Sequence, residues 1–482
     1  MELNKLLNLA GLKMSDNRGN AEISGITIDS RAAIQGCLFV AIRGNEVDGH
    51  RFIQSAIDKG AVAVVCENEV EINGDVELII VPDSHEAAGK LASAFYGFPS
   101  EKLQLVGVTG TNGKTTTVTL LYQLMMEMGK KSGLISTVEN RIGDKVLAST
   151  HTTPDPISLN ALLKDMVDSG CQYAFMEVSS HAAHQKRISG LKFAGAVFTN
   201  ISHDHLDYHK TFDEYIAAKK SFFDGLAKGS FALSNIDDKR GEVMLQNTPA
   251  DKYYYSLRRS ADYKGKIFEN TLEGLAMELD GVHVHLRLIG EFNAYNALCV
   301  YAVGRLLGYD KEDVLTQLSA VPGAIGRFET IRDVERDVLF IVDYAHTPDA
   351  LEKVLNTIHD MKKDAGVITV VGCGGHRDKE KRPVMGALAA KLSREAIFTD
   401  DNPRDESPED ITGEMVAGLT IDDKAKVLII NDRVQAIRTA SKLAQRGDII
   451  LVAGKGHETY QLVKDKVLEM DDRKIIKDII GK

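Results

Sequence analysis

The sequence predicts an α/β protein of three domains: an N-terminal α/β unit, a central unit with a mostly parallel sheet covered by helices, and a C-terminal doubly wound unit. Three observations predict it. The chain has 482 residues, enough for about three domains at roughly 150 residues each. Short apolar, strand-like runs alternate with helical patterns along most of it. One strand passes through a glycine-rich turn straight into a helix, and the last third repeats the strand–helix wiring of a doubly wound sheet.

The elements follow in order. In residues 1–100, ISGITIDSR and GCLFVAI read as strands, HRFIQSAIDKGA as a helix, and AVAVV and ELIIVPD as strands again. The helix EAAGKLASAFYGF runs into Pro99, which marks a boundary. The second unit, 101–331, opens with the buried-strand pattern LQLVGVTG and the helix KTTTVTLLYQLMMEMG. YAFMEVSS and GAVFTN are further strands, and the unit closes around PGAIGRFE. The third unit, 332–482, carries the strands DVLFIVDYA, VITVVG, AIFTDD, KVLIIND and DIILVAG. Their carboxyl ends lead into DYAHTPD, GCGGHRD, DNPRD and GKGHE, where doubly wound sheets bind ligands.

Composition narrows the function. Hydrophobic residues make up 44% and charged residues 26%, ordinary for a globular protein and unlike a disordered one. A net charge of −11 makes the chain a poor general binder of nucleic acid or of anionic membrane, while leaving room for a local basic pocket. No apolar run approaches the roughly 20 residues of a membrane span. The start, MELNKLLNLAGLKM, lacks the layout of a secretory leader, so a cytoplasmic location is expected. The five cysteines are scattered without a CxxC pair, and each is expected to be a small buried hydrophobe.

Two segments carry chemistry. In the first, Gly107-Val-Thr-Gly110-Thr111-Asn112-Gly113-Lys114-Thr115-Thr116 lies between a strand and a helix. Glycines let backbone N–H groups curl around phosphate oxygens, and the helix N-terminus adds donors. Lys114 suits the β/γ-phosphates and the Thr115 hydroxyl suits Mg²⁺. Strict spacing would put glycine at 108, where Val108 stands. No guanine-reading NKxD motif is present, and a small-molecule kinase fits this loop as well. In the second, Glu177 ends a strand, and His203, Asp204, His205, Asp207 and His209 follow the next one. This cluster suits magnesium, zinc or a solvated polar loop. Lys219 downstream, with Lys220 beside it, reads by itself as a surface lysine.

GTNGKTT, MEVSSH, DHLDYH, AAK, GEFNAYN, GRFE, DYAHTPD, GCGGHRDKEKRP, DNPR and GKGHE occur in one order across the chain. Together they resemble the Mur ligases of peptidoglycan synthesis. The resemblance implies an N-terminal UDP-binding domain, a central ATPase and a C-terminal Rossmann-like domain that brings an amino acid. It implies an ATP-dependent ligase joining meso-diaminopimelate to UDP-N-acetylmuramoyl-L-alanyl-D-glutamate through an acyl phosphate, with ATP and Mg²⁺. The alternatives are the same ligation with L-lysine, or a folylpolyglutamate-synthase-like ligase, which would begin close to its phosphate loop. A monomer is expected.

Residue by residue, the resemblance assigns Gly110, Thr111, Asn112, Gly113, Lys114, Thr115 and Thr116 to the ATP phosphates. It assigns Asn293 and Asn296 to the adenine side, and Arg327 and Asp343 to phosphate and ribose. Thr115, Glu177, His205 and Lys219 become the magnesium shell and, with Lys114, the catalytic set. In that shell Lys219 is carbamylated by CO₂ and so turned from a cation into an anion. Ser30, with Asn45 to Val47, and His151, Thr152, Thr153, Ser179, Gln185 and Arg187 would meet the UDP-linked peptide; His151 stands where relatives often have asparagine. Arg377, Asp401, Asn402, Pro403, Arg404, Gly454 and Glu458 would form the diaminopimelate pocket. There Arg404 supplies a planar fork for the carboxylate that lysine lacks. His346 has no assigned role.

Overall fold

The computed structural model describes residues 1–12, 21–44, 47–149, 151–204 and 206–481, and the side chains of all of these but 206 and 207. His205 and Asn45 lie outside the described residues.

Three sheets follow one another along the chain. The first is four parallel strands in sequence order: Gly25–Thr27, Cys37–Val40, Ala61–Cys66 and Glu77–Ile80. The helix Ser84–Phe95 covers it, capped by Asp83, whose side chain accepts from Glu86 N.

The second sheet has eleven strands. Its parallel centre runs Phe231–Asn235, Gly195–Phe198, Gln104–Thr109, Tyr173–Glu177 and Ser132–Ile135. Antiparallel hairpins extend both edges, through Glu139–Ile142 and Lys145–Ala148 on one side and Gly274–Leu279 and Val282–Leu286 on the other. Both faces of the central strands are buried, which is why they read as continuous apolar runs.

This alternation of faces explains Val108. It lies within the strand Gln104–Thr109, packed in the core with Val106 and Val118, and pairs with Val197 and Glu177 on its two sides. Gly107 faces the other way, where a Cβ would come 2.5 Å from the Phe222 ring. The phosphate loop therefore begins after Thr109, and the first loop glycine is Gly110.

The third sheet has six strands. Five are parallel, in the order Val338–Asp343, Ile449–Ala453, Val367–Val371, Glu395–Phe398 and Val427–Ile429. Glu329–Asp333 pairs antiparallel with Val338–Asp343 as an edge strand, so this sheet starts upstream of residue 332. A separate hairpin, Tyr460–Val463 with Lys466–Glu469, stands over the DNPR segment through a bridge from Arg404 to Val463.

Lys219 is not a surface residue. It is 1% exposed on the helix Phe212–Asp224, whose inward face also carries Tyr215, Phe222 and Phe223. Positions three and four apart share a helix face, so Lys219 joins this inward stripe while Lys220 pairs with Asp224 at 2.6 Å. All five cysteines are buried and free. Among the described residues no helix is long and apolar enough to cross a membrane.

Candidate active site

A cavity of about 980 Å³ joins the carboxyl ends of the second and third sheets. Its floor is the phosphate loop. Gly110 has φ +151°, and a Cβ there would lie 1.9 Å from Thr199 Oγ1, so only glycine fits this crossing of two strand ends. Thr199 Oγ1 donates to Asn112 O at 2.6 Å, and Asn200 Oδ1 accepts from Asn112 N at 3.0 Å. The loop is thus braced by the neighbouring strand end. Lys114 heads the helix Lys114–Glu127, and its Nζ donates to the carbonyls of Gly110 and Thr111, both at 2.9 Å. Burial pushes its pKa below the ordinary lysine value.

Glu177 sits beside this loop at the end of the adjacent strand. Its Oε1 accepts from Thr115 Oγ1 at 2.9 Å and from Thr137 N at 2.7 Å. Its Oε2 is buried with no hydrogen-bond partner among the described residues. A buried carboxylate oxygen without a donor is costly alone and is what a hard cation would take. Thr115 and Glu177 therefore fit a magnesium ion. Among the described residues no three His, Cys, Asp or Glu side chains gather to hold a metal by themselves. An ion here would draw its remaining oxygens from substrate and water, as magnesium does.

Lys219 Nζ donates to Gly110 O at 2.9 Å and lies 4.6 Å from the centre of the Tyr215 ring. Burial and the nearby Lys114 cation hold its pKa well below the ordinary lysine value. Tyr215 OH in turn lies 3.0 Å from Thr111 Oγ1.

The third unit reaches this floor through Asp349 and Arg327. Asp349 Oδ2 accepts from Asn112 Nδ2 at 2.8 Å and from Ser202 Oγ at 3.2 Å. Asp349 is placed by its helix, Pro348–Met361, with Thr347 as cap and Pro348 in the first turn. Arg327 Nη2 donates to Thr115 Oγ1 at 3.0 Å, and its guanidinium lies 4.4 Å from the Tyr344 ring centre. Asp343 accepts from Phe328 N and Ala345 N, both at 2.7 Å, and burial raises its pKa. Asp343 thus ties the Arg327 loop to its own strand end while still lining the cavity. His346 also lines it. Its Nδ1 donates to Tyr344 O at 2.8 Å, which leaves Nε2 as the acceptor, and burial lowers its pKa to about 4.

At the far end lie Arg377, Asp401, Asn402, Arg404, Gly454 and Glu458. Arg404 adopts φ +54°, and its Nη1 donates to Gly375 O at 2.7 Å and Asn402 O at 3.3 Å. Burial and the nearby Arg377 press its pKa down. Two guanidinium groups near two carboxylates suit a zwitterionic amino-acid head.

Of the other residues expected for the UDP-linked peptide, His151, Thr152, Thr153, Ser179 and Arg187 line the same cavity near Glu177. Thr153 Oγ1 donates to Glu177 O at 2.8 Å, and Arg187 Nη1 donates to Thr153 O at 2.8 Å. Gln185 is not on the lining; its Oε1 accepts from Arg187 Nε at 2.9 Å and so orients that arginine. Ser30 is apart from this cavity, in the first sheet's unit, with its carbonyl accepting from Lys59 Nζ at 3.1 Å. Gly110 and Pro403 shape loops without lining the cavity. Asn296 lines it and accepts from Thr117 Oγ1 at 3.4 Å, next to the phosphate loop. Asn293 turns inward, donating to Ile289 O at 2.8 Å and accepting from Asn296 Nδ2 at 3.0 Å.

Sequence reasoning missed a second wall. Asp237 Oδ2 accepts from Tyr295 OH at 2.9 Å and Leu257 N at 2.9 Å, and Arg258 pairs with Glu291 at 2.9 Å. Asp237, Arg258, Glu291 and Tyr295 all line the cavity. Only the positions of Glu291 and Tyr295 inside GEFNAYN hinted at them. Lys455 and Asp349 were missed as well, although both lie inside motifs that had been singled out.

Residues 22–96, 108–304 and 326–456 match the models described as Mur ligase family, catalytic domain; Mur ligase middle domain; and Mur ligase, glutamate ligase domain. A UDP-N-acetylmuramoyl-L-alanyl-D-glutamate–2,6-diaminopimelate ligase from Cytophaga hutchinsonii is 57% identical over 482 residues, covering 100% of this chain and 99% of that protein. A ligase of the same name from Geobacillus kaustophilus is 42% identical over 467 residues, covering 95% of this chain and 94% of that protein. A solved structure of a ligase so named matches with a TM-score of 0.70 at 30% identity, covering 100% of this chain and 99% of the other. With three family models in order along one chain, and relatives this similar over its full length, the protein belongs to the Mur ligase family.

Proposed function

We propose that the protein is an ATP-dependent ligase that adds meso-2,6-diaminopimelate to UDP-N-acetylmuramoyl-L-alanyl-D-glutamate, a step in peptidoglycan precursor synthesis. The observation that carries it is the single cavity linking the phosphate loop, the Glu177–Lys219 centre and the Arg377–Arg404–Glu458 pocket. All of these groups come from one chain, so a monomer suffices. A cytoplasmic location fits a nucleotide-driven reaction.

The reaction couples two displacements. An oxygen of the D-glutamate carboxylate attacks the γ-phosphorus of ATP, the bond to ADP breaks, and an acyl phosphate forms. The amine of diaminopimelate then attacks the acyl carbon, and the tetrahedral intermediate expels phosphate as the nitrogen loses its proton. Two anions meet in the first step, so positioning and charge stabilisation dominate. Lys114 and the loop N–H groups hold the phosphates, and Arg327 adds a cation from the third unit. Thr115 and Glu177, with Lys219 as a carbamate, would hold magnesium, which supplies charge neutralisation at the transferring phosphoryl group. Lys219 suits carbamylation because its lowered pKa favours the free amine that attacks CO₂. His151, Thr152, Thr153, Ser179 and Arg187 would orient the UDP-linked peptide, with Ser30 at its distal end. Asn296 faces the phosphate loop, and Asp237, Arg258 and Tyr295 form the wall where the nucleoside fits. Arg404 and Arg377 would take the distal carboxylate of diaminopimelate, and Glu458 and Asp401 its ammonium.

A folylpolyglutamate-synthase-like activity would leave the four-stranded first sheet without a task. The deciding experiment is phosphate release from ATP and UDP-N-acetylmuramoyl-L-Ala-D-Glu, run in parallel with meso-diaminopimelate and with L-lysine. Turnover with diaminopimelate alone is expected. Equal turnover with lysine would remove the specificity, and no turnover with either would remove the ligation.

A further inference from the structure

We infer that Lys455 is a specificity-determining positioning residue: it locks Asn402 and Glu458 so that the amino-acid pocket presents one carboxylate oxygen to the distal ammonium, an inference that rests on the diaminopimelate reading above.

Lys455 is fully buried and does not line the cavity, whereas Asn402, Glu458 and Tyr460 do. A buried ammonium is retained only where partners compensate it. Its Nζ donates to Glu458 Oε2 at 2.8 Å and to Asn402 Oδ1 at 3.2 Å, and lies 5.7 Å from the Tyr460 ring centre.

The two partners are themselves coupled. Asn402 Oδ1 also accepts from Leu462 N at 2.9 Å, and Asn402 Nδ2 donates to Glu458 Oε2 at 2.9 Å. With two donors on Oδ1, the amide can face only one way, and Nδ2 must point at Glu458. Both bonds to Glu458 fall on Oε2, so Oε1 is the oxygen offered to a ligand.

The charges follow the same logic. Lys455 offsets Glu458 from behind, and Asp401 then leaves this end of the pocket with a net negative charge. Arg377 and Arg404 line the same pocket beside these carboxylates, Arg404 through its bond to Asn402 O. A ligand head with a carboxylate and an ammonium at fixed spacing matches this arrangement. One that lacks the ammonium leaves Glu458 with no partner on the cavity side, at a desolvation cost.

The test compares the full-length wild-type enzyme with K455M and K455R, using meso-diaminopimelate and 2-aminopimelate, which lacks the distal amine. In K455M the KM for diaminopimelate should rise about tenfold or more, with the KM values for ATP and the UDP-linked peptide within about twofold. Preference for diaminopimelate over 2-aminopimelate should collapse in K455M and survive in part in K455R, which keeps the charge. An unchanged preference in K455M, a parallel rise of all three KM values, or failure of both variants to fold would overturn the inference. Failure of the wild type to use diaminopimelate would instead overturn the reading beneath it.

Discussion

Asn112 of the phosphate loop donates through Nδ2 to Asp349 Oδ2 at 2.8 Å, a contact that spans 237 positions of the chain. Asp349 belongs to the first turn of a helix packed on the third sheet, so one hydrogen bond ties the loop that would hold the nucleotide to the unit that would deliver the amino acid. Removing the carboxylate in Asp349→Ala leaves the Asn112 amide without this acceptor. The KM for ATP should rise roughly tenfold, since a hydrogen bond to a charged group is worth about 1.5–3 kcal/mol before solvent takes its share. Steady-state kinetics at saturating peptide and amino acid measure this. An unchanged KM would show that the bond does not help to hold the loop.

Arg404 meets the cavity through a guanidinium anchored on two carbonyls. Arg404→Lys keeps the charge but loses the fork that matches a carboxylate. The KM for diaminopimelate should rise roughly 10- to 100-fold, as expected for a charge-assisted pair. Any slow turnover of L-lysine should change much less. Equal effects on both amino acids would mean that Arg404 does not read the extra carboxylate.

Lys219 is buried against Gly110 O, with its pKa held down by burial. Lys219→Ala should lower kcat at least 100-fold, the scale of losing one electrostatic stabiliser of a transition state. Wild-type enzyme prepared and assayed in CO₂-free buffer should lose activity and recover it on adding bicarbonate. The intact-protein mass should show the carboxyl adduct in the active form. Activity indifferent to bicarbonate would rule out the carbamate.

Two histidines, His209 in the interior and His346 half-buried on the cavity wall, set an acid limit on stability. Burial lowers the pKa of both His346 and His209 to about 4, and His209 Nε2 has no hydrogen-bond partner among the described residues. In the unfolded chain each titrates near the ordinary histidine value of about 6.5. Between these values the unfolded state binds protons that the folded state refuses, so stability falls as pH drops. Their contribution is complete above about pH 6.5 and is lost progressively down to about pH 4. Denaturant melts across that range should show the decline, and His209→Gln should flatten it. A slope unchanged in the variant would exclude His209 as a source.

The sequence by itself determined the three-unit α/β wiring, the phosphate loop and the pocket motifs. These are written in local signals: apolar runs for strands buried on both faces, glycine before a helix N-terminus, and Thr-Pro at a helix start. Its order of motifs carried the family. Lys219 marks where local signals stop. In EYIAAKKSFF two adjacent lysines look alike, and only packing against Tyr215 and Gly110 separates the fully buried one from its half-buried neighbour. Asp349, Asp237 and Lys455 were hidden for the same reason. Asp349 and Asp237 meet partners up to 237 positions away, and Lys455 acts through Asn402, 53 positions distant. Residue type shows what a side chain can donate or accept. Burial and the distant neighbour decide which of those bonds form: Lys219, Asp237 and Lys455 meet theirs within one folded unit, and Asp349 across the seam between two.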